Sequence, residues 1–137
     1  MTLALSTTLR TSFDEAVKRT REALAEQGFG ILTEIDVKAT LKAKLGEDME
    51  DYLILGACNP PLAHRALGVN RQIGTLLPCN VVVRSAPEQA GVMLIEAMNP
   101  QMLADVTGEP KLVPIADEVT ARLQAAIDDL KSTDSNE

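Results

Sequence analysis

The chain has 137 residues, 45% of them hydrophobic and 24% charged, which is typical of one globular domain and excludes a disordered chain. Its 13 Lys and Arg residues against 20 Asp and Glu give a formal net charge of −7, and only 2% of the residues are aromatic. We therefore expect no nucleic-acid binding, because phosphates would be repelled and bases would find no stacking platform.

The first predicted elements are a strand and a helix. Apolar and polar side chains alternate over residues 3–9, which predicts a half-buried strand. Ser12 and Glu15 have the spacing of a helix capping box, and Gly28 stands where helices commonly end. One stripe of this helix is expected to be buried: Phe13, Ala16, Val17, Thr20, Ala23 and Leu24.

A second strand and a short helix follow. The strand is predicted to place four side chains on one face: Ile31, Thr33, Ile35 and Val37. Asp36 is the expected cap of a helix over about residues 38–45, which Gly46 closes. Residues 52–58 are apolar on both faces, which is typical of a strand with neighbours on both sides.

The next part of the chain contains a helix and two strands. Asn59 and Pro60 are suited to the cap and the first position of a helix that reaches about Leu67. Strands are predicted at residues 79–84 and 92–98. Because only a tight turn joins these two strands, they must be antiparallel.

Two helices complete the chain. Asn99 and Pro100 open a short helix, and this junction repeats the one at residues 59–60; a capping solution used twice explains the repeat better than an internal duplication. Residues 132–137 form a polar tail that we expect to fray. The last helix starts near Pro114 and is predicted to bury six residues: Ile115, Val119, Leu123, Ala126, Ile127 and Leu130.

This order of elements predicts an α+β fold in a single domain over residues 1–131. The expected architecture is a mostly antiparallel sheet of about five strands with helices packed on one face. No apolar run is long enough for a membrane helix, and residues 1–9 lack the features of a signal peptide. Two cysteines are too few for a disulfide scaffold, so we expect a soluble, cytoplasmic protein with no membrane partner.

Three segments carry a resemblance to a known family. Residues 55–67 contain Cys-Asn-Pro-Pro and residues 73–83 contain Leu-Pro-Cys-Asn, and residues 30–46 fit the same pattern. The chain resembles the domain of unknown function 302 family as far as about Leu130. The resemblance implies small bacterial proteins with a curved, TATA-binding-protein-like sheet, often found as homodimers, and it implies no established activity.

The two cysteines are the first candidate site residues. Cys58 ends a strand directly before a helix, where the helix dipole favours a thiolate, although a free cysteine is more often an inert packing residue. Cys79 begins the next strand. The resemblance suggests an antiparallel return, which would place the two cysteines at the same sheet edge with their Cα atoms within about 10 Å. Asn59 and Asn80 would stand beside them, with His64 on the helix above.

His64 and Glu96 are the other candidates. His64 is the only histidine, and it could orient a ligand or act as a base, or simply lie half-exposed on its helix. Glu96 shares a strand face with apolar residues, so it needs an Arg partner or a proton unless that face is open to solvent. The complete set of ligand-binding candidates is Cys58, Asn59, His64, Cys79, Asn80 and Glu96.

Three classes of function remain open. The first is a homodimeric module that binds a small molecule or a metal, favoured because no complete catalytic set is present. The second is a thiol-dependent enzyme or redox protein that uses Cys58 or Cys79. The third is a protein that only interacts with a partner. The cysteines lack the Cys-x-x-Cys spacing, so neither a metal nor another cofactor is identified, and the expected partner is a second copy of the chain.

Overall fold

The computed structural model describes residues 2–135 and contains one five-stranded sheet. The strand order is β1-β5-β4-β3-β2, and every neighbouring pair is antiparallel. The predicted α+β class and antiparallel sheet are confirmed, while the curvature implied by the resemblance stays a prediction. The strands are β1 (Ala4–Arg10), β2 (Gly30–Asp36), β3 (Tyr52–Cys58), β4 (Cys79–Ser85) and β5 (Val92–Met98).

Five α-helices connect and follow these strands within the described residues. They are α1 (Phe13–Glu26), α2 (Val37–Leu45), α3 (Pro60–Val69), α4 (Gln101–Thr107) and α5 (Val113–Ser135). Short 3₁₀ turns precede β4 and α5 at Arg71–Leu76 and Pro110–Leu112. None of the helices in residues 2–135 is long and apolar enough to cross a membrane.

The predicted caps explain where several helices begin. Ser12 Oγ accepts a hydrogen bond of 3.2 Å from the Glu15 backbone N–H, and Asp36 Oδ1 accepts one of 2.8 Å from Ala39. The Glu15 carboxylate pairs with Arg19 one turn further on, at 3.1 Å. The predicted cap at Ser12 is therefore confirmed. The Glu15 side chain forms an ion pair with Arg19 in the next turn of α1.

One face of the sheet forms the core with the helices. Register places alternate residues of β3, β4 and β5 on this face, and α1 and α5 cover them. The predicted apolar residues of α5 are all buried, at 5% exposure or less. The sheet residues at the centre of the core are Leu9, Leu55, Ala57, Val81, Val83, Ile95 and Ala97.

The other side of the sheet, here called the open face, is only partly buried. Its side chains are half-buried or exposed along all five strands. By register its central residues are Ser6, Tyr52, Ile54, Val82, Arg84, Leu94, Glu96 and Met98. Helices packed on one face of the sheet were predicted, and this is confirmed.

Strand β2 differs from the prediction because it contains a β-bulge. Ile31 is paired with Ala57, but Thr33 is paired with Gly56, so Leu32 is an extra residue between two consecutive partners. Ile31 therefore shares a face with the core residue Ala57, while Thr33 lies on the opposite face. The prediction that residues 31, 33 and 35 share one face was wrong, and Val37 belongs to α2.

The predicted polar tail also differs from the structure. Helix α5 continues through Ser135, so residues 132–135 are helical. Asp134 Oδ1 accepts a hydrogen bond of 2.8 Å from the backbone N–H of Arg10, which ties this last turn to the end of β1. Residues 136 and 137, which belong to the predicted tail, lie outside the described residues.

Candidate functional site

The two cysteines lie next to each other across neighbouring strands. Cys79 is paired with Ala57 in the antiparallel ladder of β3 and β4, one position from Cys58. Opposite Cα atoms in such a ladder are about 4.5–5.5 Å apart and consecutive ones about 3.8 Å, so the two Cα atoms are within about 10 Å. The antiparallel return and the shared sheet edge are confirmed.

A pocket of about 270 Å³ opens at this edge of the sheet, between the strand ends and α3. Helices α4 and α5 contribute its deeper wall. Its lining residues are Phe29, Leu32, Ala57, Cys58, Asn59, Leu62, Ala63, Ala66, Leu77, Pro78, Cys79, Leu103, Ile115 and Val119. We call this space the edge pocket.

The bulge in β2 supplies one side of the edge pocket. Leu32 is the extra residue of the bulge, and its side chain is 68% exposed although it lines the pocket. Opposite it, α3 places Leu62 and Ala66 against the core, at 4% and 3% exposure. Leu32 therefore stands at the solvent side of the edge pocket, and α3 forms its inner side.

Asn59 holds the start of α3 and fastens it to the neighbouring segment. Its Oδ1 accepts the Leu62 backbone N–H at 3.5 Å, and its Nδ2 donates to the Gln27 carbonyl oxygen at 3.4 Å. The side chain is 8% exposed. Pro60 and Pro61 have no N–H, so the first turn of α3 offers few free donors to an anion in the edge pocket.

Cys79 is protonated at neutral pH. It is 6% exposed, and burial, with a smaller electrostatic contribution from Cys58, raises the pKa of its thiol to about 11. Because the thiolate is the nucleophile and the metal ligand, Cys79 is poorly suited to either role. Cys58 is half-buried and lines the edge pocket. Residues 2–135 contain no group of three or more His, Cys, Asp or Glu side chains that could hold a metal ion.

The other predicted site residues lie elsewhere. His64 is exposed on α3 and does not line the edge pocket, and its neighbour Arg65 pairs with Glu118 at 2.7 Å. Asn80 and Glu96 border a hollow of about 390 Å³ on the open face. The structure thus brings together Cys58, Asn59 and Cys79, and separates them from the remaining three candidates.

Glu96 has the Arg partner that its apolar surroundings require. Arg84 Nε donates to Glu96 Oε1 at 2.6 Å, and Arg84 Nη2 donates to Oε2 at 3.4 Å. The hydrogen bond to Glu96 is the main cause that raises the pKa of Arg84. Of the alternatives considered for Glu96, the structure therefore shows the Arg partner, on the less buried face of the sheet.

Sequence reasoning missed most of the apolar lining of the edge pocket. Ile115 and Val119 were predicted as buried core residues, and nothing in their helical spacing distinguishes a pocket wall from a packed core. Leu32 was assigned to a regular strand. A one-residue bulge on an edge strand has no strong composition signal, so the local sequence could not reveal the position of Leu32.

Comparison with known proteins gives the same family from sequence and from fold. The family model for the domain of unknown function DUF302 matches residues 5–130. The crystal structure of an uncharacterized conserved protein DUF302 from Bacillus stearothermophilus is similar to this chain, with a TM-score of 0.84 and 32% identity. The match covers 93% of this chain and 98% of that chain. Among curated proteins, none matches this sequence.

Proposed function

Because this chain belongs to the DUF302 family, which is defined without an activity, we propose a function from its own geometry: it is a homodimeric module that binds a small apolar molecule in the edge pocket. The observation that carries the proposal is a pocket of about 270 Å³ walled almost entirely by apolar side chains. An apolar cavity of about 150 Å³ is large enough for benzene. A ligand with on the order of ten carbon atoms would therefore fit.

The open edge pocket contrasts with the buried core of the protein, and this contrast supports ligand binding. Protein interiors are close-packed, and a void loses the dispersion contacts that its lining could make. In the core of this protein, Leu55, Val83 and Leu123 are fully buried. An apolar concavity that stays open at one sheet edge is the common form of a small-molecule site.

The protonated state of the Cys79 thiol favours ligand binding over thiol chemistry. A thiol whose pKa is raised to about 11 is almost entirely protonated at neutral pH. Such a group packs as a small apolar side chain. We therefore assign Cys79 to the wall of the pocket, and Cys58, which is more exposed, to its entrance.

The open face supports the homodimer. Five strands about 4.8 Å apart and seven residues long cover roughly 500–600 Å² per copy, near the lower end of specific interfaces. By register the centre of this face has one carboxylate, Glu96, and Arg84 neutralises it. Two copies can therefore meet there without the repulsion that a net charge of −7 would otherwise cause.

The test of the binding function uses titration of the protein with 1-octanol, followed by isotope-edited NMR. We expect saturable binding with one site per chain and shifts centred on Cys58, Cys79 and Leu32. Leu32→Ala removes most of an exposed side chain that lines the pocket and should weaken binding roughly five-fold, or about 1 kcal/mol. Leu45→Ala is the matched control, because both leucines are 68% exposed and Leu45 does not line the pocket.

Two results would contradict the proposal. One is titration without saturation up to the solubility limit of octanol. The other is a set of shifts centred on the hollow of the open face, around Tyr52 and Val82, with Leu32→Ala and Leu45→Ala behaving alike.

A further inference from the structure

We infer that the edge pocket selects uncharged ligands, such as an alcohol, a ketone or a hydrocarbon, and rejects carboxylates, phosphates and ammonium ions of the same size. This inference rests on the proposed binding function and defines the chemical class of the ligand. It follows from which charged and polar groups face the pocket, and which do not.

No charged side chain is among the lining residues, all of which lie within the described part of the chain. Three charged groups of α3 and α5, Arg65, Glu118 and Arg122, are paired with one another and do not line the pocket. Glu118 accepts from Arg65 at 2.7 Å and lies 3.7 Å from Arg122. Arg122 also donates to the Gln27 carbonyl oxygen at 3.5 Å. A charged ligand would therefore find no counter-ion on the pocket wall.

The neutral polar side chains of the wall have hydrogen-bond partners or are weak donors and acceptors. Asn59 uses Oδ1 to accept from Leu62 and Nδ2 to donate to Gln27, so both ends of its amide have partners. The two prolines at the start of α3 carry no N–H. The thiols of Cys58 and Cys79 are weak hydrogen-bond donors and acceptors, and burial keeps that of Cys79 protonated by raising its pKa.

An ion that enters such a site loses its hydration and gains no partner. The cost of transferring an unpaired charge into apolar surroundings far exceeds the gain from burying a few methylene groups. Transfer of a hydroxyl or carbonyl group from water into the pocket costs much less free energy than transfer of an ion. Such a group can also keep one water molecule at the half-open entrance beside Leu32. Uncharged amphipathic molecules and hydrocarbons are therefore the ligands that fit.

The test compares three ligands with the same eight-carbon chain, 1-octanol, octanoate and octylammonium, on the wild-type protein at pH 7 and fixed ionic strength. We expect octanol to bind, and both ions to bind at least about 30-fold more weakly. Octylammonium is included as a control, because the net charge of −7 repels octanoate but attracts octylammonium. Rejection of both ions would come from desolvation in the pocket.

Three other outcomes would contradict either the inference about ligand charge or the proposed binding function. If octanoate binds within about three-fold of octanol, ligand charge is not selected and the inference is wrong, while the binding function stands. If only octylammonium matches octanol, the selection comes from the net charge of the protein and the inference is also wrong. If none of the three binds, the proposed function fails and the inference with it.

Discussion

Arg84 and Glu96 form a bidentate ion pair across two neighbouring strands of the open face, with a shortest distance of 2.6 Å. Val82 is paired with Glu96 and Arg84 with Leu94, so the ion pair runs diagonally between β4 and β5. Both side chains are only partly exposed, at 25% and 30%. By register the residues next to the pair are Ser6, Tyr52, Val82, Leu94 and Met98, a mainly apolar set that suits the proposed dimer interface.

The homodimer is tested by light scattering coupled to size exclusion. At micromolar concentration the wild-type protein should elute with about twice its chain mass of 14.7 kDa. Leu94→Glu should give a monomer, because a two-fold interface brings two copies of the new carboxylate together. Leu45→Glu, which adds the same charge on α2, should remain dimeric. A wild-type monomer, or two variants with equal mass, would remove the proposed interface.

The pKa of Cys79 predicts how stability depends on alkaline pH. The thiol has an ordinary pKa of 9.0 and is raised to about 11 in the fold. Between these values the unfolded chain loses the proton while the folded chain keeps it, so the free energy of unfolding falls as pH rises. The total loss is on the order of 2–3 kcal/mol.

Cys79→Ala provides the comparison for this pH dependence, measured by urea unfolding at several pH values. Other groups titrate in the same range, so the informative quantity is the difference between the two proteins. That difference should be constant below about pH 9 and should shrink above it. A difference that stays constant up to about pH 11 would show that burial does not hold the proton on Cys79.

The two thiols should react at very different rates with iodoacetamide at neutral pH. Cys58 is half-buried and lines the edge pocket, whereas Cys79 is buried and burial raises the pKa of its thiol to about 11. We expect one rapidly alkylated thiol in the wild-type protein, lost in Cys58→Ser and kept in Cys79→Ser. Mass spectrometry of the labelled peptides gives the assignment. Faster labelling at Cys79 than at Cys58 would contradict the assignment of Cys79 to the pocket wall.

Gly56 is required where the bulged strand β2 passes β3. A methyl group at this position would overlap Thr33 Oγ1 and would lie 2.9 Å from Pro78 Cγ. Gly56→Ala should therefore lower the free energy of unfolding by about 1–3 kcal/mol. Adding Thr33→Ala should recover part of this loss, since it removes the closest atom. No rescue in the double variant would place the strain elsewhere, and Gly68→Ala, where a methyl group meets no atom within 4 Å, is the control.

Asn99 joins three segments through one buried amide. Its Nδ2 donates to the Thr2 carbonyl oxygen at 2.9 Å and its Oδ1 accepts from the Gln101 N–H at 3.1 Å, with the side chain 6% exposed. Asn99→Ala should cost about 1–3 kcal/mol in thermal or urea unfolding. Asn70→Ala removes only the 2.9 Å bond from Gln72 and should cost less. Equal losses in the two variants would contradict the anchoring role of Asn99.

The sequence by itself determined the helices and strands, and one strand pair, β4 with β5. The alternation of β1, the caps at Ser12, Asp36 and Asn59, and the apolar stripe of α5 are local signals, and each is found in the structure. A tight turn after β4 required an antiparallel partner. The neighbouring positions of Cys58 and Cys79 followed only with the help of the family resemblance.

Tertiary structure alone decided where the pocket lies and what lines it. The bulge at Leu32 reverses the faces of β2, and a shift of one residue in a pattern of period two leaves no trace in composition. Asn80 follows Cys79 in sequence, yet the pleat directs it to the open face, while Ile115 and Val119 reach the pocket from a distant helix. A cavity is space that several separate elements fail to fill, so its position depends on their packing, which local spacing does not encode.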